Sequence, residues 1–157
     1  MTNKEIKIAY EEYASLEELQ PHDKALAEAA IEAVSLAYAP YSNFNVGAAV
    51  RFEDGEIIKG ANQENAAYPS GLCAERTALF YASASRPDKA MTAIAIAAGQ
   101  NGQLITKPVT PCGACRQVMA QYQTKSGLPM SVLLIGADKV LKFGKVDDLL
   151  PLIFDSI

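Results

Sequence analysis

The stretch VGAAVRFEDGEIIKG, residues 46–60, decides the fold because it contains two strand patterns joined by a turn. Residues 46–52 are rich in small and β-prone side chains, and residues 56–60 return with two consecutive isoleucines. Between them, Asp54-Gly55 is a strong signal for a two-residue hairpin loop. The stretch therefore predicts two antiparallel strands.

Downstream of this hairpin, helix and strand patterns alternate. The sequence predicts, in order, a helix over 72–82, a buried strand over 92–98, a helix over 112–122 and a strand over 131–135. A strand, a helix long enough to cross the sheet and a second strand form a βαβ unit, so two such units follow the hairpin. Only four residues then separate the next β-prone run, 140–143, which must run antiparallel to the strand before it.

The flanking segments complete the predicted architecture. Upstream, Asp23 is expected to cap a helix that ends before Pro40, and the partial alternation over 5–10 favours a short edge strand. Asp147 is expected to start a last short helix. We therefore predict an α/β fold, a three-layer α/β/α sandwich around a five-stranded mixed sheet.

Length and composition limit the classes of protein that fit. The chain has 157 residues, enough for one core, so we expect a single domain over 1–157, with an N-terminal extension over 1–21 and the core over 22–157. Its 18 acidic against 14 basic residues give a net charge of −4, which argues against a nucleic-acid partner. With no apolar leader pattern and no run of about 18 apolar residues, we expect a cytoplasmic protein without a membrane partner.

The three cysteines fall in two short motifs, C-A-E at 73–75 and P-C-G-A-C at 111–115. This combination matches the signature of zinc-dependent deaminases. Two thiols three residues apart in a first helical turn share one face, and a third thiolate leaves the fourth tetrahedral position open, as in catalytic zinc sites. The single histidine, His22, is far away in sequence, so Cys73, Cys112 and Cys115 are the expected ligands of Zn²⁺.

Two residues beside Cys73 are expected to act with the metal. Glu75 is the candidate catalytic residue that moves protons during the reaction, and we do not expect it to ligate the metal. Three thiolates on Zn²⁺ leave an excess negative charge, which helix N-termini and a hydrogen bond from Arg76 to a thiolate would offset. Two other interpretations stay open here: a structural zinc with Glu75 as fourth ligand or as a surface charge, and a redox dithiol at Cys112 and Cys115.

The chain resembles the small, three-cysteine, homotetrameric cytidine deaminases over about residues 23–154. Five segments carry the resemblance, in the right order: 41–49 (YSNFNVGAA), 62–68 (NQENAAY), 73–78 (CAERTA), 111–117 (PCGACRQ) and 149–154 (LLPLIF). The resemblance implies a cytidine deaminase-like fold and zinc-dependent hydrolysis of cytidine and 2′-deoxycytidine to uridine and 2′-deoxyuridine, with release of ammonia, in pyrimidine salvage.

The resemblance also assigns residues to the substrate. Asn62 and Glu64 are similar to the pair that holds the ribose hydroxyls, and Phe44 to the aromatic beside the pyrimidine. Ala74 and Cys112 correspond to positions whose backbone groups read the ring edge and the leaving amine. In a homotetramer with pockets completed across subunits, Phe154 would lie over a neighbour's base and Tyr68 would lie near a subunit contact.

Three features depart from the usual small enzyme: the N-terminal extension, the long connection over 98–110 and the linker PSGL at 69–72. These departures concern the subunit interface and the breadth of substrates, not the zinc chemistry. Two alternative functions also stay open. One is a deaminase of the same fold acting on another small aminopyrimidine nucleoside, such as blasticidin S. The other is a zinc-stabilised interaction protein without turnover.

Overall fold

Seven strands form one mixed sheet in the computed structural model, which describes residues 1–155. The strands are β1 Glu11–Tyr13, β2 Asn45–Phe52, β3 Ile57–Ala61, β4 Met91–Gln100, β5 Gln103–Leu104, β6 Ser131–Ile135 and β7 Val140–Phe143. Their order is β1-β7-β6-β4-β2-β3, with β5 paired to β4. The β4–β6 pair is parallel, whereas the other pairs are antiparallel, as predicted for β2–β3 and β6–β7.

Three α-helices cover the two faces of the sheet: α1 Pro21–Ala33, α2 Ala74–Ser85 and α3 Gly113–Ser126. On one face, α1 packs Leu26 and Ala30 against Leu133 of β6. On the other face, Leu79 of α2 and Met119 of α3 join the second core cluster. The α/β class and the three-layer arrangement are therefore confirmed.

The predicted count of five strands is wrong, because two very short strands add to the sheet. β1 lies at 11–13 instead of 5–10 and pairs with β7, with Glu11 opposite Lys142. β5 has two residues and follows the Asn101-Gly102 turn. Strands of two or three residues are too short to produce a recognisable alternation.

The turn of the β2–β3 hairpin also differs from the prediction. Phe52 N donates to Glu56 O at 2.9 Å, so three residues form the loop instead of two. Gly55 takes φ +89°, the left-handed conformation that glycine adopts without steric cost. A three-residue loop with a left-handed third residue is a common hairpin connection.

At the first helix, the predicted cap is wrong. α1 begins at Pro21, and Asp23 lies inside its first turn with 1% of its surface exposed. Its carboxylate pairs with Arg51 Nη1 and Lys142 Nζ, each at 2.9 Å. Two cations from distant strands thus draw the carboxylate away from the helix end, where Pro21 is already a favoured first residue.

Two other predicted helical segments need smaller corrections. A 3-10 turn over Val34–Leu36 follows α1, and another over Val146–Asp148 replaces the predicted helix from Asp147.

Within residues 1–155, no helix is both long and apolar enough to cross a membrane.

Candidate metal centre and active site

The starts of α2 and α3 meet at one end of the sheet. β3 and β4 both run antiparallel to β2, so they are parallel to each other and their carboxyl ends lie at the same edge. α2 follows β3 and α3 follows β4. The topology therefore brings the two helix N-termini, and the two cysteine motifs on them, together.

The three cysteines form a compact group at these helix starts. Cys73 is the N-cap residue of α2, Cys112 is the N-cap residue of α3, and Cys115 lies in the first turn of α3. Their Sγ atoms lie within 4.8 Å of one another, and Cys112 Sγ is 3.5 Å from Cys115 Sγ. Thiolates bound to one tetrahedral zinc ion at about 2.3 Å lie about 3.8 Å apart, so this donor set fits Zn²⁺.

The surroundings favour a thiolate at Cys73. A hydrogen bond from Cys115 is the main cause that lowers the pKa of Cys73 to about 5, and Arg76 lowers it further against the opposing effect of burial. Arg76 Nη2 donates to Cys73 Sγ at 3.6 Å, and this contact raises the pKa of the guanidinium. The hydrogen bond with Cys73, together with burial, raises the pKa of the Cys115 thiol.

Glu75 is the second residue of α2, and 5% of its surface is exposed. Burial is the main cause that raises the pKa of its carboxyl group, and the negative charge of Cys73 adds to the effect. Within residues 1–155, no carboxylate joins the three thiols as a fourth member of the metal-binding group. Glu75 is therefore a buried acid beside the thiols, with a pKa shifted toward the range useful for proton transfer.

A cavity of about 730 Å³ opens onto the thiols. The predicted site residues that line this cavity are Phe44, Asn62, Glu64, Tyr68, Cys73, Ala74, Glu75, Arg76 and Cys112. Cys115 is fully buried beneath them. The structure thus brings together the predicted site residues from four separate segments, with Phe154 outside the set.

Asn62 and Glu64 are already engaged with the protein. Asn62 Oδ1 accepts from Val46 N at 2.8 Å, and Asn62 Nδ2 donates to Phe44 O at 2.9 Å. Glu64 accepts from Tyr41 N at 2.9 Å and from the backbone and hydroxyl of Ser42. Each side chain keeps hydrogen-bonding capacity, because an amide has two N–H donors and a carboxylate about four acceptor positions.

Comparison with known proteins agrees with this geometry. The sequence model of the "Cytidine and deoxycytidylate deaminase zinc-binding region" matches residues 20–128. The chain belongs to this deaminase family. It is therefore a zinc-dependent hydrolase, and the predicted cofactor and enzyme class are confirmed.

Individual relatives support the same assignment. A cytidine deaminase of Halalkalibacterium halodurans is 54% identical over 97 residues, which are 61% of this chain and 68% of that protein. The crystal structure of a cytidine deaminase from Burkholderia pseudomallei has a TM-score of 0.71 at 42% identity, covering 87% of this chain and all of that one. A cytidine deaminase structure from Mycobacterium tuberculosis has a TM-score of 0.63 at 31% identity, covering 84% and 96% of the two chains.

Within this deaminase, Phe154 points away from its own chain's pocket. Its side chain is 68% exposed. Its backbone is held at both polar atoms by Gln117 of α3, which donates to Phe154 O at 2.7 Å and accepts from Phe154 N at 3.3 Å. The backbone of Phe154 is therefore held to the metal-binding helix, while its side chain is exposed.

Ser42 is the functional residue that sequence reasoning missed. Its hydroxyl donates to Glu64 Oε1 and accepts from Phe44 N, so it links two predicted substrate contacts. These contacts hold the Glu64 carboxylate in its charged form, because the Ser42 hydrogen bond is the main cause that lowers the pKa of Glu64. The motif YSNF contains Ser42, but spacing alone gives no sign of a partner 22 residues away.

Proposed function

We propose that this deaminase hydrolyses cytidine and 2′-deoxycytidine to uridine and 2′-deoxyuridine with release of ammonia. The observation that carries the proposal is one cavity that opens onto the group of three thiols and is lined by Glu75, Asn62 and Glu64 among its other residues. The relatives named above are cytidine deaminases at up to 54% identity.

Glu75 moves the protons of this reaction. Zinc, when bound, supplies the Lewis acidity that makes water nucleophilic near neutral pH. Glu75 accepts a proton from the attacking water and passes it to the ring nitrogen. It then accepts the proton of the hydroxyl group added to the ring carbon and gives it to the departing amine. Its raised pKa suits both steps, because a group whose pKa is shifted toward the working pH accepts and returns a proton more readily than a free glutamate.

The remaining hydrogen-bonding capacity of Asn62 and Glu64 suits a ribose hydroxyl. The free N–H of Asn62 donates to the 3′-oxygen, and Glu64 accepts the hydroxyl proton. Phe44 lies beside the pyrimidine, and the backbone groups of Ala74 and Cys112 contact the ring edge and the amine. A blasticidin-type substrate lacks this hydroxyl arrangement and would leave the remaining donor of Asn62 and the remaining acceptor positions of Glu64 without a substrate partner, which favours the nucleoside.

The active form is a homotetramer in this proposal. Phe154 and Tyr68 are 68% and 80% exposed, and Tyr68 also lines the cavity rim. Exposed aromatic side chains at a cavity rim are typical of protein interfaces. Phe154 would then cover the base bound by a neighbouring subunit, and Tyr68 would lie near that contact.

The proposal also covers domain organisation and location. Residues 22–157 form the catalytic core, with 1–21 as an N-terminal extension of the same domain. The location is cytoplasmic, where a reducing environment keeps the three free cysteines as thiols.

Metal analysis together with a substrate panel tests the proposal. Purified protein is assayed for ammonia release from cytidine, 2′-deoxycytidine, cytosine, adenosine and blasticidin S, and its zinc content is measured. We expect about one zinc per chain and turnover of the two cytosine nucleosides. If blasticidin S alone were turned over, the assignment of cytidine and 2′-deoxycytidine as substrates would be wrong.

Glu75→Gln separates an enzyme from a zinc-stabilised interaction protein. The substitution keeps the side chain's size but removes its ability to carry a proton. We expect zinc to be retained and kcat to fall by orders of magnitude. Glu28→Gln, an exposed substitution on α1, is the matched control and should leave kcat unchanged. Equal kcat in the two variants would contradict the role of Glu75.

A further inference from the structure

Two asparagines in the left-handed backbone conformation contact each other beside the cavity. Asn43 and Asn101 have φ of 52° and 53°, and within residues 1–155 they are the only non-glycine residues with positive φ. Asn43 Nδ2 donates to Asn101 Oδ1 at 2.8 Å, although the residues are 58 positions apart in sequence. Asparagine tolerates this conformation better than most residues, so both loops accept the contact with little strain.

On one side of this contact is the segment that carries substrate-binding groups. Tyr41, Ser42 and Phe44 line the cavity, and Asn43 lies between them. Asn43 N also donates to Ala39 O at 3.0 Å, which closes the turn. Any shift of Asn43 is therefore passed to Ser42, which binds the Glu64 carboxylate.

On the other side is the β4–β5 hairpin, which is firmly held by the sheet. Asn101 and Gly102 form its turn. Beyond the turn, Ile105 N donates to Ala98 O at 3.0 Å, and Ala137 N donates to Ile105 O at 2.9 Å. Backbone hydrogen bonds thus tie the long connection over 98–110 to β4 and to the loop after β6, and its last residues, Val109 and Thr110, line the cavity.

We propose that Asn101 is a positioning residue for nucleoside binding. Through Asn43 it fixes the Tyr41–Phe44 segment, and through Ser42 it fixes the orientation of Glu64. The expected effect of Asn101 on nucleoside binding rests on the proposed function. Its expected effect on the position of the Tyr41–Phe44 segment rests on the hydrogen bonds alone. Asn101 touches neither the thiols nor Glu75, so it acts on binding and leaves the proton transfers unchanged.

Substitutions at position 101 separate the hydrogen bond from the backbone conformation. Asn101→Gly keeps the left-handed conformation and removes the acceptor, whereas Asn101→Asp keeps an acceptor for Asn43 Nδ2. We expect the glycine variant to raise KM for cytidine by about 2- to 10-fold, the effect of one neutral hydrogen bond, with kcat and zinc content unchanged. The aspartate variant should keep the wild-type KM.

Two further measurements make the test independent of catalysis and of a general loss of stability. Hydrogen exchange of a peptide covering 39–46 should be faster in Asn101→Gly than in wild type or Asn101→Asp. In a double-variant cycle, Asn43→Gly with Asn101→Gly should raise KM no further than either single change. The proposed function is tested separately by wild-type turnover of cytidine.

The proposal is overturned by an unchanged exchange rate over 39–46 in Asn101→Gly. Equal KM values for the glycine variant and wild type, a fall in kcat at constant KM, or independent effects of the two glycine changes would also overturn it. If the wild-type chain did not deaminate cytidine, the function would fall while the exchange measurement still decided the role of Asn101.

Discussion

Gly60 controls how closely α2 approaches the sheet, and Gly60→Ala is the sharpest test of how packing places the catalytic groups. A Cβ atom built on Gly60 would lie 2.5 Å from Ala78 N, 2.8 Å from Ala78 Cα and 2.9 Å from Ala78 Cβ. An ordinary contact between such atoms is about 3.5 Å, so the helix must move away by about 1 Å. Two of the three atoms are backbone, so no change of side-chain rotamer relieves the overlap.

This displacement should reduce both stability and activity. Overpacking of this kind costs about 1–3 kcal/mol, even though alanine is otherwise better than glycine in a strand. For a chain of this size, the melting temperature should fall by about 2–12 °C. The displaced helix carries Cys73 and Glu75 at its start, and a shift of about 1 Å in catalytic groups can lower turnover by about 100-fold.

Thermal unfolding, kcat for cytidine and zinc content would be measured on the same preparations. Gly144→Ala is the matched control, because a Cβ there meets nothing within 4 Å, and it should behave like wild type. Adding Ala78→Gly to Gly60→Ala should not restore activity, since the overlap with the helix backbone persists. A Gly60→Ala variant with the melting temperature and kcat of the control would refute the reasoning.

Three more predictions concern charge and metal. Asp23→Asn should lower the free energy of unfolding by about 3 kcal/mol, because it leaves two partly buried cations without their carboxylate. Burial opposes ionisation of Asp23, but Lys142 and Arg51 outweigh this effect and lower the pKa of Asp23. The stabilisation of the fold by its carboxylate is therefore present above the ordinary pKa of 3.8 and is lost as pH falls through the lower folded pKa. Urea unfolding of wild type and variant at pH 5 and pH 3 would contradict this if both lost the same stability. Arg76→Ala should reduce zinc retention or kcat more than Arg116→Ala, since Arg76 donates to the Cys73 thiol whereas Arg116 donates to the backbone carbonyls of Pro111 and Leu149. Equal zinc content and kcat in the two variants would count against the role of Arg76. Removal of zinc by a chelator should abolish turnover while the circular dichroism spectrum stays native, because a core of this size is stable without a metal.

Local periodicity and turn chemistry were sufficient to predict most of the fold. The predicted helix over 112–122 corresponds to Gly113–Ser126, and the predicted strand over 131–135 has the bounds of β6. The predicted helix cap failed for a different reason, because distant residues decide the local structure there. The residues next to Asp23 in sequence predict a helix cap, yet its partners Arg51 and Lys142 lie 28 and 119 positions further along the chain.

The same division applies to the site. The cysteine motifs and Glu75 could be predicted because each lies at a fixed spacing on a helix start, where geometry follows from sequence. The contacts that shape the substrate-binding side join residues 22 and 58 positions apart, and neither pair leaves a local signal. The short motifs fix the zinc chemistry, but they do not fix how Ser42 and Glu64 are oriented. In this chain that orientation depends on contacts between loops, and for this reason the proposed role of Asn101 could not be predicted from a sequence pattern.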